Sequence, residues 1–363
     1  MANVYSAIAS DANAKGFLAT VGTDIFYDVA QAYANAINET MMLALSAFVQ
    51  PMQTENHSER QYLPGSGELQ DRNEQGRFAD TRPTGYWSVS YPLDDVGAEL
   101  SINDVALAKR TAAEFDNDLE SIRIQNRNVM FKRMMKRIYN NVNATYRDAD
   151  YGDLTIRALA NQDGSIYPAP LGNPGAGEAE DNVYIVAGYV SGDISDTNNP
   201  LKYNARKLEY RFGETTGGDN IVTFIHRDET DAVESLVDFY PVPDNWIRVG
   251  DNADIPVRLP MVPGKIIGRS NGTWVSQWSE GTPSGYMLSV HLNEPQPLKM
   301  RVDEAVVAAS LGRGLQMVVE EFTFPFRKWV WRHRFGFGAA NRVNGVVLQL
   351  KASGSYDIPT AYQ

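Results

Sequence analysis

Between Gly97 and Gly152 the chain contains neither glycine nor proline, and through this interval apolar residues return every three or four positions. Val105, Ala108, Ala112, Phe115, Leu119 and Ile122 make one stripe, and Met130, Met134 and Ile138 continue its flank. That period marks one face of a helix. Asn103 offers an N-cap oxygen. The spacing predicts a helix from Asp104 to about Asn141, roughly 55 Å long at 1.5 Å per residue. Such a rod is longer than a small domain is wide, and a chain of 363 residues exceeds the usual size of a single core. An elongated subunit with more than one packing unit is expected.

The flanking segments have different characters. Ile25, Val29, Tyr33, Ile37, Met41 and Leu45 repeat at four-residue intervals toward Phe48, with Thr23 or Asp24 as N-cap, and predict an amphipathic helical arm. From Gln50 to Ser101 the sequence turns polar and rich in turn signals: Pro64-Gly65-Ser66-Gly67, Gln75-Gly76 and Arg82-Pro83-Thr84-Gly85. Tyr86–Tyr91 has strand character, with Trp87, Val89 and Tyr91 on one face, and Gly97–Ile102 is a second candidate. A long, loop-like stretch inside a compact chain usually serves a partner, and a long two-stranded hairpin fits it best.

The remainder is β-rich. Strand patterns fall at Val183–Val190, Lys207–Phe212, Ile221–His226, Lys265–Ser270, Thr273–Trp278, Tyr286–Leu292, Leu315–Phe324 and Val343–Lys351. Asn271-Gly272 predicts a type I′ hairpin turn. One helix is expected at Glu229–Tyr240, capped by Asp228, with Val233, Leu236, Val237 and Tyr240 facing inward. Gly164–Asp181, rich in Gly, Pro and acidic residues, is expected as a loop.

Composition excludes several function classes. No cysteine is present, so disulfides, thiolate zinc sites and cysteine nucleophiles are ruled out. The sequence lacks a charged-then-apolar export signal, and its longest apolar stretch, around Met41–Val49, falls well short of a bilayer span. With 33 Lys+Arg against 45 Asp+Glu the net charge is −12, the wrong sign for a protein that coats nucleic acid tightly, yet compatible with a container wall. The four histidines, His57, His226, His291 and His333, are scattered without zinc spacing. Gly336-Phe337-Gly338 fails the dinucleotide pattern because Asn341 holds the third glycine position. Asp148, Asp150 and Asp153 could alternate around calcium, but no terminal bidentate glutamate follows, and a solvated turn is the better reading. No catalytic residue, cofactor or metal is expected.

Two runs carry a family resemblance: Tyr86-Trp-Ser-Val-Ser-Tyr-Pro-Leu-Asp-Asp95, leading into the long helix, and Arg334-Phe-Gly-Phe-Gly-Ala-Ala-Asn-Arg-Val-Asn-Gly-Val-Val347, finishing at Ile358-Pro359. In their setting of arm, hairpin, long helix, sheet domain and return strand, the chain resembles the tailed-phage major capsid proteins, whose fold is shared with encapsulins and the herpesvirus capsid floor. The resemblance implies an α+β fold with an N-arm at 1–50, an extended loop at 51–103, a spine helix and peripheral domain at 104–160, an axial domain at 161–313, and strands returning to the peripheral domain at 314–363. It implies self-assembly into pentamers and hexamers of an icosahedral shell around double-stranded DNA, built in the host cytoplasm with portal and scaffolding proteins and a possible decoration protein, without a membrane. Where some relatives cross-link through a loop lysine, this chain has none between Lys15 and Lys109. Scaffolding is expected from a separate protein. An encapsulin-like compartment and a secreted β-rich hydrolase using Glu320 and Glu321 are the alternatives; adjacency puts those two carboxylates on opposite faces of a strand.

Three residue sets are singled out. On the extended loop, Arg60, Glu68, Asp71, Arg72, Glu74, Arg77, Asp80 and Arg82 mix signs, which suits register against a neighbouring subunit, with Trp87 and Tyr91 as anchors. On the spine helix, Arg123, Arg127, Lys132, Arg133, Lys136 and Arg137 recur at four-residue spacing and predict a basic face, turned to a neighbour, to solvent or to DNA. Near the C-terminus, Trp329, Trp331, His333 and Phe335 alternate with Lys328, Arg332 and Arg334. A strand would bury the first group and expose the second.

Overall fold

The computed structural model describes residues 45–63, 71–72, 85–103, 105–106, 112–159, 166–167, 178–179, 184–212, 220–242, 262–303 and 314–363. The expected N-arm therefore lies almost wholly outside the described residues. Its last turn is seen: Leu45, Ala47, Phe48 and Val49 are buried, and the chain then runs beside Leu298–Arg301 in isolated parallel bridges.

The long helix is present as α1, Ala112–Tyr139, about 42 Å by its rise. Asn103 does cap the helical residues ahead of it, its Oδ1 accepting from Val105 N at 2.9 Å. The helix divides its apolar stripe between two cores. Phe115, Leu119 and Ile122 pack with Trp329, Trp331, Leu315 and Met317, while Met130, Met134, Met135 and Ile138 join a larger cluster containing Phe48, Phe224, Leu288, Phe335 and Phe337.

Four strands form the sheet under α1. They are β3 (Asp94–Asn103), β14 (Leu298–Val302), β15 (Gln316–Thr323) and β16 (Phe326–Ala339), with β16 pairing all three others. Along β16 the burial alternates as the sequence predicts: Trp329, Trp331, His333 and Phe335 are buried, whereas Arg332 is exposed and Lys328 and Arg334 are partly so.

A second sheet has seven strands in the order β10-β11-β12-β9-β13-β17-β8. These are β8 (Tyr184–Gly188), β9 (Ile221–Ile225), β10 (Phe239–Pro241), β11 (Lys265–Ser270), β12 (Thr273–Gln277), β13 (Tyr286–His291) and β17 (Val346–Lys351). At its centre β9 is buried at every position. Asn271 and Gly272 hold φ of 48° and 80°, as a type I′ turn requires. Two smaller hairpins complete the strands: β1 (Ser58–Leu63) with β2 (Gly85–Ser90), and β4 (Ala144–Asp148) with β5 (Gly152–Ile156). Short pieces at Ile166–Tyr167 (β6) and Glu178–Ala179 (β7) also pair.

Several elements differ from expectation: β4, β5 and β14 are not among the expected strands, β6 and β7 pair within the segment expected as a loop, β3 pairs with β16 rather than within the hairpin, and two further elements change type. Lys207–Phe212 is not a strand but the end of helix α2, Pro200–Phe212. The alternation Leu208, Tyr210, Phe212 imitates a strand, yet Leu201, Ala205 and Leu208 share a buried helical face. Asn199 caps it, accepting from Leu201 N at 3.0 Å and Lys202 N at 3.2 Å, with Pro200 at the first helical position. The helix expected at Glu229–Tyr240 shrinks to a 3-10 turn, Arg227–Glu229, and α3, Thr230–Glu234. His226 rather than Asp228 caps it, its Nδ1 accepting from Asp228 N at 3.2 Å. Phe239 and Tyr240 are drawn into pairing with Ser270 and Arg269 across β11, which leaves Val237 exposed.

Candidate inter-subunit interface

The hairpin β1–β2 is a two-stranded sheet of its own, paired over six residues from Ser58↔Ser90 to Leu63↔Gly85. Its register places Ser58, Arg60, Tyr86 and Ser88 on one face, and all four are exposed. The Arg60 guanidinium sits over the Tyr86 ring at 5.1 Å, a cation–π contact that stiffens this face. On the other face Val89 is buried, and Tyr91, just past the strand, is 0% exposed against Ala340. The inter-subunit role expected of Tyr91 is corrected here. Its ring belongs to this subunit's own core, and what it anchors is the root of the hairpin.

That root is held by charge. Lys299 Nζ donates to both Glu59 oxygens at 2.9 Å, Thr54 Oγ1 donates to Oε1 at 2.7 Å, and Tyr91 OH donates to Oε2 at 3.2 Å. Burial works to raise the Glu59 carboxyl, but the hydrogen bonds from Lys299 and Thr54, the Lys299 charge and the Tyr91 hydroxyl outweigh it and hold the group below its ordinary value. Beside it, Arg301 Nη1 donates to the Tyr91 carbonyl at 3.1 Å and to Asp148 Oδ2 at 2.7 Å. Asp148 thus serves the hairpin root and the β4–β5 turn, where its Oδ1 accepts from Asp150 N and Tyr151 N. Its carboxyl is also held low: burial raises it, and Arg301 together with the turn amides more than reverses this. Among the described residues no group of His, Asp or Glu could hold a metal ion.

The chain then crosses β16 on its way from β2 to β3. A side chain at Gly336 would collide with the Pro92 carbonyl, and one at Gly338 with the Tyr91 ring. These glycines, which fail as a nucleotide motif, give the backbone room for the crossing.

Of the loop residues predicted to meet a neighbour, Asp71 and Arg72 are exposed. Glu68, Glu74, Arg77, Asp80 and Arg82 lie outside the described residues, as does the side chain of Trp87. The spine-helix set is not one face. At 3.6 residues per turn the six cations spread over more than half the circumference. Arg123 pairs with Glu120, Arg127 with Glu280 at 3.1 Å, and Arg133 with Asp94 at 2.8 Å while lying over the Phe335 ring. Arg137 is partly buried near Asp94. Only Lys132 and Lys136 stand open. Glu280 and Asp94 are distant in sequence from the arginines they engage, so no local signal announced them; Glu120, three residues before Arg123, is the local exception.

No protein-family model matches the sequence, and no curated protein does either. Among solved structures, a chain from Mycobacterium phage Patience is similar at 18% identity with a TM-score of 0.65, over 95% of this chain and 94% of that one. Weaker similarities include the capsid of the Cyanophage P-SCSP1u (9% identity, TM-score 0.46, 85% and 87% covered) and the procapsid of satellite phage P4 (11%, 0.43, 97% and 98%). The hairpin, the long helix, the four-stranded sheet and the seven-stranded sheet make this the α+β fold of the tailed-phage major capsid proteins, as the sequence resemblance implied. The likeness to the Patience chain extends over nearly the full length of both. No helix among the described residues is long and apolar enough to cross a membrane.

Proposed function

We propose that this chain is a shell subunit, the major capsid protein of a tailed phage, which self-assembles into pentamers and hexamers of an icosahedral shell around double-stranded DNA. The observation that carries the reading is the hairpin: a separate two-stranded sheet with one exposed face, rigidly rooted by Glu59, Lys299, Arg301 and Tyr91. Such an element contributes little to its own subunit's core. Pinned in direction, it suits a heterologous contact in which the same two unlike surfaces meet around a ring. Arg60, Tyr86, Asp71 and Arg72 would face the neighbour, with Trp87 as a further contact and the loop charges Glu68, Glu74, Arg77 and Arg82 setting register. Portal, scaffolding and decoration proteins would join the same shell.

The test is negative-stain electron microscopy with light scattering on the purified chain, alone and with a co-expressed scaffold. Closed shells, capsomer rings or spirals tens of nanometres across are expected. A monodisperse monomer under every condition overturns the reading.

A further inference from the structure

The second half of α1 has an unusual charge balance. Its acidic residues, Glu114, Asp116, Asp118 and Glu120, all fall in the first third, and from Ser121 to Tyr139 there is no carboxylate at all. Six cations occupy that stretch in a chain whose net charge is −12. The structure divides them by use. Arg123, Arg127 and Arg133 are engaged with Glu120, Glu280 and Asp94, and Arg137 is drawn toward Asp94 from a partly buried position. Lys132 and Lys136 are exposed, and among the described residues no ion pair involves either. Helical geometry puts them in line with Asn128, Gln125 and Ser121, all exposed as well.

The result is a stripe, about 22 Å long by helical rise, that offers two ammonium groups and neutral hydrogen-bonding side chains, with no carboxylate along it. Compensation of the helix dipole accounts for Lys136, which lies in the last turn. It does not account for Lys132 or for the missing acids. We propose that this stripe, Ser121, Gln125, Asn128, Lys132 and Lys136, is a docking surface for the phosphate backbone of duplex DNA. The inference rests on the shell reading and names the face of the subunit that touches the contents.

Charge complementarity selects the occupant. The two lysines are separated by about 6 Å of helix rise, close to the roughly 6.8 Å between alternate phosphates of one strand along the duplex axis. Amide and hydroxyl side chains hydrogen-bond phosphate oxygens without reading sequence. Two cations per subunit bind weakly alone, and repetition over many subunits multiplies the contact. Such a lining would hold a densely packed duplex and still release it.

The test compares full-length chain, a Lys132→Gln/Lys136→Gln variant and a control, Arg147→Gln/Lys265→Gln, which removes two exposed cations elsewhere. Binding to a fluorescent 60-base-pair duplex is followed by anisotropy across a sodium chloride series. The slope of log affinity against log salt should lose about 1.8 in the stripe variant, from about 0.9 per phosphate contact, and remain unchanged in the control. Absence of binding by the wild type, an unchanged slope in the stripe variant, or an equal loss in the control overturns the proposal. Electron microscopy of the same proteins without DNA separates this outcome from failure of the shell reading: shells that form but do not bind duplex leave that reading standing.

Discussion

The hairpin root and the seven-stranded sheet belong to one subunit, but they are held by opposite means. In the sheet, Ile221, Val222, Phe224 and Ile225 of β9 and Val346, Val347 and Leu348 of β17 are almost completely buried, and apolar area does the work. At its centre the buried polar contacts are neutral: Thr223 Oγ1 lies 3.0 Å from Thr273 Oγ1 and 2.8 Å from Ser289 Oγ, and Asn204 Nδ2 donates to Ser289 at 3.0 Å. At the hairpin root, Glu59, Lys299, Asp148 and Arg301 are drawn together from segments up to 240 residues apart. Apolar packing tolerates small shifts of register and angle, whereas a two-point hydrogen bond to a carboxylate does not. The difference teaches that this chain uses burial for cohesion and charge for aim.

The sharpest way to break the comparison is Arg301→Met. Arg301 and Asp148 are each 5% exposed at the side chain, so the substitution strands a buried carboxylate and should cost about 3–5 kcal/mol in chemical denaturation. Replacing Asp148 by Leu in the same chain should recover most of that stability while leaving the hairpin mis-aimed, which assembly assays would register. In the seven-stranded sheet, Leu288→Ala should cost about 2–5 kcal/mol, and assembly should fall only as far as stability does.

Acid offers a milder probe. The Glu59 carboxyl is held below its ordinary 4.5, so its contribution to stability is complete above that pH and is lost as pH falls through the lower folded value. Melting temperature should therefore decline below about pH 4.5 more steeply in the wild type than in Glu59→Gln. The smallest effect on the isolated subunit belongs to Arg60→Ala. Arg60 is exposed, and its loss should change stability by no more than about 0.5 kcal/mol, while ring and shell formation drops measurably by light scattering.

Local pattern carried much of this architecture. The spine helix, the Asn103 cap, the Asn271-Gly272 turn and the alternation along β16 are all consequences of spacing between near neighbours, which a single sequence displays. What the sequence concealed is long-range. Leu208, Tyr210 and Phe212 alternate like a strand, and only the Asn199-Pro200 start marks α2. Val233, Leu236 and Tyr240 have helical spacing, but pairing with β11 takes the end of that run into a sheet. Tyr91 reads as an anchor for a neighbour, and only its packing with Ala340 and the bond from Arg301 to its carbonyl, both from more than two hundred positions later in the chain, place it in this subunit's core. The six-cation face fails on helical geometry alone, which the sequence does display; what it concealed is that Asp94 and Glu280, outside the helix, engage Arg133 and Arg127.

One consequence of the hairpin root concerns timing. Thr54, Glu59, Tyr91, Asp148, Lys299 and Arg301 come from widely separated portions of the chain, so the root can close only after Lys299 and Arg301 have been synthesised, more than two hundred residues after Glu59. Under the shell reading, a half-folded or truncated subunit lacks a correctly aimed hairpin and cannot enter a ring. Completion of folding then acts as the entry check for assembly, and defective copies are turned away without any separate inspector.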